Sequence, residues 1–197
     1  MQHPVVALVA SAGGIEALGH VLEPLPAGLP ATVLVALHQY PRHSSMLAEL
    51  LGRRTALPVK QAADGDALLP GTVLVTPPGQ HMLVTSPTRL ALIACGAIPP
   101  ARPSADLLLA TLAVSCGPLA VAVVLTGAGT DGQAGIRAVA RQKGTVFAQD
   151  LASSEHSAMP HAAAETGVVD AVLPLSALGA RIRDHVCGLL PRPTGTD

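Results

Sequence analysis

Val5-Val6-Ala7-Leu8-Val9-Ala10-Ser11-Ala12-Gly13-Gly14 runs apolar from Val5 to Ala10 and ends in a turn of small residues. Alternating polarity would mark a strand with one wet face, whereas an unbroken apolar run marks a strand buried on both. The glycines turn that strand into a helix over about Ile15 to Leu22, so β passes directly to α. The same exchange recurs downstream. Thr32–Leu37 reads as a second strand, followed by a helix through Arg54 that Ser44 or Ser45 caps, with Glu49 early and Arg53-Arg54 late, as the helix dipole prefers. Leu119–Leu125, Thr145–Ala148 and Val168–Leu173 read as strands. Ser104 reads as the cap of a helix to Ser115, with further helices over Gly132–Gln142 and Ala158–Glu165 and a last one from Ser176 to about Leu190. Between Thr72 and Ala94 the turns are too short for helices, so the runs Thr72–Thr76, His81–Thr85 and Arg89–Ile93 are expected to pair as antiparallel hairpins. The whole pattern predicts an α/β fold. It is a doubly wound, mostly parallel sheet of about seven strands with an antiparallel hairpin excursion, in a Rossmann-like three-layer αβα arrangement. One domain spans 1–190, and 191–197 is a loose tail.

Composition narrows the function. The chain has 197 residues, 49% hydrophobic and 13% charged, a net charge of −1, and two aromatic residues, Tyr40 and Phe147. A chain lacking both a basic surplus and stacking rings is a poor nucleic-acid binder. The apolar start resembles a short signal core, but no Lys or Arg precedes it, and no run of 18 apolar residues exists to span a membrane. A cytoplasmic protein, not embedded in a membrane, is expected. Cys95, Cys116 and Cys187 are dispersed, with no CxxC, and read as small core residues in a reducing compartment. His38 and His43 lie five apart, as do His156 and His161, which does not suit a metal pair on one helix face, so no metal is expected.

Ligands of doubly wound sheets gather where strands end and helices begin. Three strand ends carry distinctive residues. Ser11 sits in a small-residue turn that can expose a hydroxyl beside free backbone N–H groups; the plainer alternative is a helix cap. His38 follows an apolar strand and can serve as a general base, or as an ordinary loop histidine. Leu125-Thr126-Gly127-Ala128-Gly129-Thr130-Asp131-Gly132 spells G-x-G-x-x-G, with Asp150 placed 18 residues after the last glycine, the spacing of a dinucleotide site. It also places Asp131 to orient a histidine. An acidic residue inside a phosphate loop opposes the pyrophosphate, which counts against the nucleotide. A Gly-rich turn capped by Asp131 is the third reading.

Six ordered motifs then carry a resemblance. They are Ala10–Gly14 with Glu16-Ala17-Leu18; Leu37-His38 before Pro41; Thr76-Pro77-Pro78-Gly79-Gln80-His81; Arg102-Pro103-Ser104-Ala105-Asp106; Leu125–Gly132; and Ala148-Gln149-Asp150 followed by Met159-Pro160. Over about Val5 to Val186 the chain resembles the catalytic domain of the chemotaxis protein-glutamate methylesterases, the CheB type. The resemblance implies a hydrolase that removes methyl groups from receptor glutamates, releasing methanol, with glutamine deamidation as a second activity in some relatives. It implies a triad of Ser11, His38 and Asp131, and an oxyanion pocket around Ala12, Gly13, Gly14, Ala128 and Thr130. His81 is implied to lie nearby. No metal or organic cofactor is implied. The partners implied are methylated chemoreceptors, with other chemosensory signalling proteins beside them. The resemblance favours the triad over the dinucleotide reading, leaving a non-catalytic docking module of the same fold as the runner-up. Ala12 stands where many members carry threonine, and Ala128 where the family pattern has methionine. With Met1 to Pro4 alone preceding the first strand, the expectation is a stand-alone catalytic domain without a receiver domain, working without phosphorylation of its own chain.

Overall fold

The computed structural model describes residues 2–39, 46–96 and 102–189. Seven parallel strands form the central sheet: β1 (Val5–Ala10), β2 (Thr32–Leu37), β3 (Val59–Gln61), β4 (Thr72–Val75), β7 (Ala120–Val124), β8 (Thr145–Gln149) and β9 (Ala171–Leu173). Their spatial order is β3-β4-β2-β1-β7-β8-β9. Two further strands, β5 (Gln80–Ser86) and β6 (Arg89–Ala94), form a separate antiparallel pair.

Every residue of β1, β2 and β7 is buried, which is why these strands read as unbroken apolar runs. Alternate residues of β1 face two different cores. Val5, Ala7 and Val9 pack with Leu108, Leu109 and Leu112 of helix α3 (Ala105–Cys116) and with Ile136 and Val139 of α4 (Gln133–Arg141). Val6, Leu8 and Ala10 pack with Leu18 and Leu22 of α1 (Gly14–Leu22), Leu51 of α2 (Leu47–Gly52) and Ile182 of α6 (Leu175–Gly188). A short helix, α5 (Ala158–Ala164), adds Met159 and Ala163 to the first core. The hairpin β5–β6 lies on that same face, contributing Met82, Val84 and Leu90.

Several expectations are corrected. Thr72–Val75 is not part of a hairpin but pairs parallel to β2, with Thr32 opposite Thr72. The four-residue Thr76–Gly79 link leads the chain out of the sheet into β5, rather than folding it back alongside β4. A short turn excludes a parallel crossover but does not oblige its two flanking strands to pair. The edge strand β3 escaped notice because Val59-Lys60-Gln61 is too short and polar to carry a pattern. The run from Val168 yields only Ala171–Leu173 as strand, because the Asp170 side chain accepts from the Val146 N–H at 2.7 Å. Ser176 does not cap α6. That helix begins at Leu175 behind Pro174, and the Leu175 N–H donates to the Ser153 hydroxyl at 2.9 Å. The Ser104 cap is present, its hydroxyl accepting from Leu107 N–H at 3.3 Å. Of the cysteines only Cys116 is a core residue; Cys187 is exposed and Cys95 intermediate. The caps placed at Ser44 or Ser45 and the tail 191–197 lie outside the described residues. Among the described residues no helix is long and apolar enough to cross a membrane.

Candidate active site

The strand order reverses direction at β1, with β2 on one side and β7 on the other, and that is where a doubly wound sheet opens a crevice. Ser11 leaves β1 there. Its N–H donates to the Thr126 carbonyl at 3.0 Å, tying the turn to the end of β7, and its carbonyl accepts from Gly14 N–H at 2.9 Å. Gly13 holds φ +74°, a left-handed conformation that suits glycine, and a Cβ there would also meet the Glu155 carboxylate at 2.7 Å. Gly13 brings no side chain to cap α1, and of the first-turn N–H groups Gly14 donates to the Ser11 carbonyl and Ala17 to the Gly13 carbonyl at 3.4 Å.

Parallel register sets His38 beside Ser11. Ala10 lies opposite Leu37, and the His38 N–H donates to the Ala10 carbonyl at 3.0 Å. The next residues on the two strands are therefore neighbours. Both line a cleft of about 440 Å³ together with Gly13, Gly14, Gln39 and Glu155. The Ser11 hydroxyl makes no hydrogen bond among the described residues.

Asp131 arrives from the third strand end. Its Oδ2 accepts from His38 Nε2 at 3.0 Å and from Ala105 N–H at 2.6 Å, while Oδ1 accepts from Asp106 N–H at 3.1 Å and the Ser104 hydroxyl at 3.4 Å. The carboxylate thus sits on the N-terminus of α3, where the dipole favours a negative charge. Burial pushes its pKa up, but the His38 bond and the two backbone N–H groups outweigh burial and hold it below the ordinary carboxylate range.

Asp106 returns the favour. It lies in the first turn of α3, and its Oδ1 accepts from Gly135 N–H at 2.8 Å, at the N-terminus of α4, the helix that Asp131 precedes. Each carboxylate holds the start of the other's helix. Burial raises the Asp106 pKa, and the neighbouring Asp131 charge adds to that rise. The linkage signs are opposite. A raised carboxyl contributes stability below its unfolded pKa that is lost as pH rises through the folded pKa. A depressed one contributes stability above its unfolded pKa that is lost as pH falls through the folded pKa. Asp106→Asn keeps an oxygen for Gly135 and removes the costly charge, so thermal unfolding at pH 7 should show equal or higher stability. That advantage should vanish in acid, where Asp106 is protonated. Asp106→Ala should lose about 1 kcal/mol through the lost helix-end bond. A clear destabilisation by asparagine at pH 7 would refute the account.

His81 lies behind this pair, buried, its Nδ1 accepting from Ser104 N–H at 2.9 Å. That bond needs an unprotonated Nδ1. Burial lowers the His81 pKa, in keeping with a neutral ring. Ala128 and Thr130 are exposed on the Gly-rich loop, and neither they nor Ala12 line the cleft. Asp150 is engaged locally, accepting from the Ser153 N–H at 2.8 Å and its hydroxyl at 2.6 Å.

Residue-by-residue reading missed several groups that fix this geometry. A Cβ on Gly127 would collide with Met159 Sδ and come within 2.8 Å of Ser11 Cβ, so only glycine lets the two loops meet. The Thr126 hydroxyl accepts from His156 N–H at 2.8 Å and lies 3.1 Å from the Ala12 carbonyl. Gln149, buried, accepts from Thr126 N–H at 2.8 Å. The signal available for Gln149 and Asp106 was their presence in the quoted motifs; nothing local marked their partners.

Comparison with known proteins gives a consistent result. Residues 6–182 match the family model described as CheB methylesterase. The chain is 39% identical over 184 residues to the protein-glutamate methylesterase FrzG of Myxococcus xanthus, covering 93% of this chain and 55% of that protein. It is 42% identical over 188 residues to a protein-glutamate methylesterase/protein-glutamine glutaminase of Moorella thermoacetica, covering 93% of this chain and 44% of that one. The chain therefore spans about half the length of these curated relatives. Among solved structures, the CheB methylesterase catalytic domain of Thermotoga maritima superposes with a TM-score of 0.88 at 30% identity, covering 94% of this chain and all of that one.

Proposed function

The chain belongs to the CheB methylesterase family, and from that premise we propose that it hydrolyses glutamate γ-methyl esters on chemoreceptors by a serine-hydrolase route. The observation that carries the reading is the 3.0 Å bond between His38 and Asp131, one register step from Ser11 on the neighbouring strand.

Asp131 takes the Nε2 side of the ring, which leaves Nδ1 to serve the hydroxyl. Ser11 Oγ attacks the ester carbonyl while Nδ1 accepts its proton. Asp131 fixes the tautomer and stabilises the imidazolium. The tetrahedral oxyanion meets the backbone N–H groups of Ala12 and Gly13 in the turn after Ser11. Collapse breaks the C–O bond, and the imidazolium gives its proton to the departing methoxide, releasing methanol. Water, deprotonated by His38, then attacks the acyl-serine; the C–Oγ bond breaks, the imidazolium returns its proton to Ser11 Oγ, and the glutamate carboxylate is freed. Glutamine deamidation follows the same steps with ammonia leaving. Chemoreceptor substrates are in keeping with the expectation of a cytoplasmic protein.

The test is methanol release from methylated receptors of the source organism. Time-dependent methanol that scales with enzyme supports the reading. Binding to receptors with no methanol released would favour a docking module of the same fold.

A further inference from the structure

One polar group in the cleft has no part in the route above. Gln39 follows His38 at the end of β2, and the residue lines the cleft with Ser11 and His38. Its backbone is fixed, the N–H donating to the Arg102 carbonyl at 2.9 Å. Its amide nitrogen is buried and has no hydrogen-bond partner among the described residues. Among the described residues only His185 Nε2 shares that condition, and that ring sits edge-on to Phe147 in the packing of α6. Folded proteins leave few buried donors unpaired, because each costs stability that nothing repays in the free molecule.

We propose that Gln39 is a substrate-binding residue that donates from Nε2 to a peptide carbonyl oxygen of the segment bearing the ester. This rests on the esterase reading of the cleft. What the nitrogen lacks is an acceptor, and the carboxylates in the cleft wall do not supply one, although Glu16 and Glu155 both line it. The last torsion of a glutamine side chain is broad. Swinging the amide toward a bound acceptor breaks no hydrogen bond of Nε2 among the described residues and makes one. A donor that must swing is not preorganised, so it does not act as an oxyanion-hole group. It binds ground state and transition state alike, and its loss appears in KM. The ester oxygens are occupied at the reacting centre, which leaves the peptide carbonyls of the substrate as the acceptors within a methylglutamyl segment.

The experiment measures kcat and KM for a peptide carrying a glutamate γ-methyl ester, by methanol release, alongside p-nitrophenyl acetate as an ester without a peptide chain. Gln39→Met should raise the peptide KM about tenfold or more while kcat stays within about threefold. The KM for p-nitrophenyl acetate should not move. Thermal stability should be equal or higher, since the variant no longer buries an unpaired donor. Gln39→Glu, the same size but acceptor-only when ionised, should show the same KM rise. A peptide KM within twofold of wild type, an equal rise for the small ester, or a loss confined to kcat overturns the inference while leaving the esterase reading intact. A wild-type protein that releases no methanol removes both.

Discussion

Ser11→Ala should reduce methanol release by about 10⁴-fold or more, because the proposed route runs through its hydroxyl as nucleophile and the variant deletes that route rather than weakening it. On that route, what remains comes from binding and from the proposed oxyanion contacts at Ala12 and Gly13. The fold should be untouched. The Ser11 backbone carries the contacts that matter to packing, to Thr126 and Gly14, and both survive the substitution. The side chain itself gives up no hydrogen bond among the described residues, so stability should stay within about 0.5 kcal/mol of wild type. Thermal unfolding and methanol release on the same preparation settle the matter. Turnover above a tenth of wild type by a folded Ser11→Ala protein would remove Ser11 from the mechanism.

Asp131→Asn should cost about 10³- to 10⁴-fold in kcat, and the hydrogen-bond arrangement gives the reason. In wild type Oδ2 accepts from both His38 and Ala105, and Oδ1 from both Asp106 and Ser104. An asparagine offers one oxygen. With its nitrogen in the Oδ2 position, it points donors at Ala105 N–H and at His38 Nε2, forcing the ring proton onto Nδ1, where Ser11 needs an acceptor. With its nitrogen in the Oδ1 position, it opposes the Asp106 N–H and keeps an oxygen for His38, but lacks the negative charge that stabilises an imidazolium. Neither orientation satisfies both backbone donors, so the variant should also lose about 1–3 kcal/mol of stability. A chain that stays folded with full activity as Asp131→Asn would show that the carboxylate is not what orients His38. Loss of activity with unchanged stability would show that the helix-end bonds matter less than their lengths suggest.

The two variants separate the contributions of the site. Ser11 lies at the surface of a cleft and is replaceable without structural cost, whereas Asp131 holds a helix and a histidine at once. This double duty explains why the Gly-rich segment supported several readings as a sequence. Asp131 reads equally as a turn cap, a phosphate-loop oddity or a histidine partner until α3 is seen to start against it.

The strands β1, β2 and β7 were legible because burial on both faces leaves Thr32 at the start of β2 as their one polar residue, and Ser104 was legible because a cap acts on an amide three residues away. The sequence by itself therefore determined the parallel sheet, the strand ends at Ser11, His38 and Asp131, and, through six ordered motifs, the family. It did not determine that β4 joins the main sheet, that Asp106 and Asp131 hold each other's helices, or that Gln39 buries an unpaired nitrogen. Those depend on groups brought together across long stretches of chain, such as Gly135 and Asp106 at 29 residues or His38 and Asp131 at 93. Local patterns record which face of an element is apolar. Which distant donor finds which acceptor is decided only when the elements pack, because hydrogen bonds are directional and burial is not.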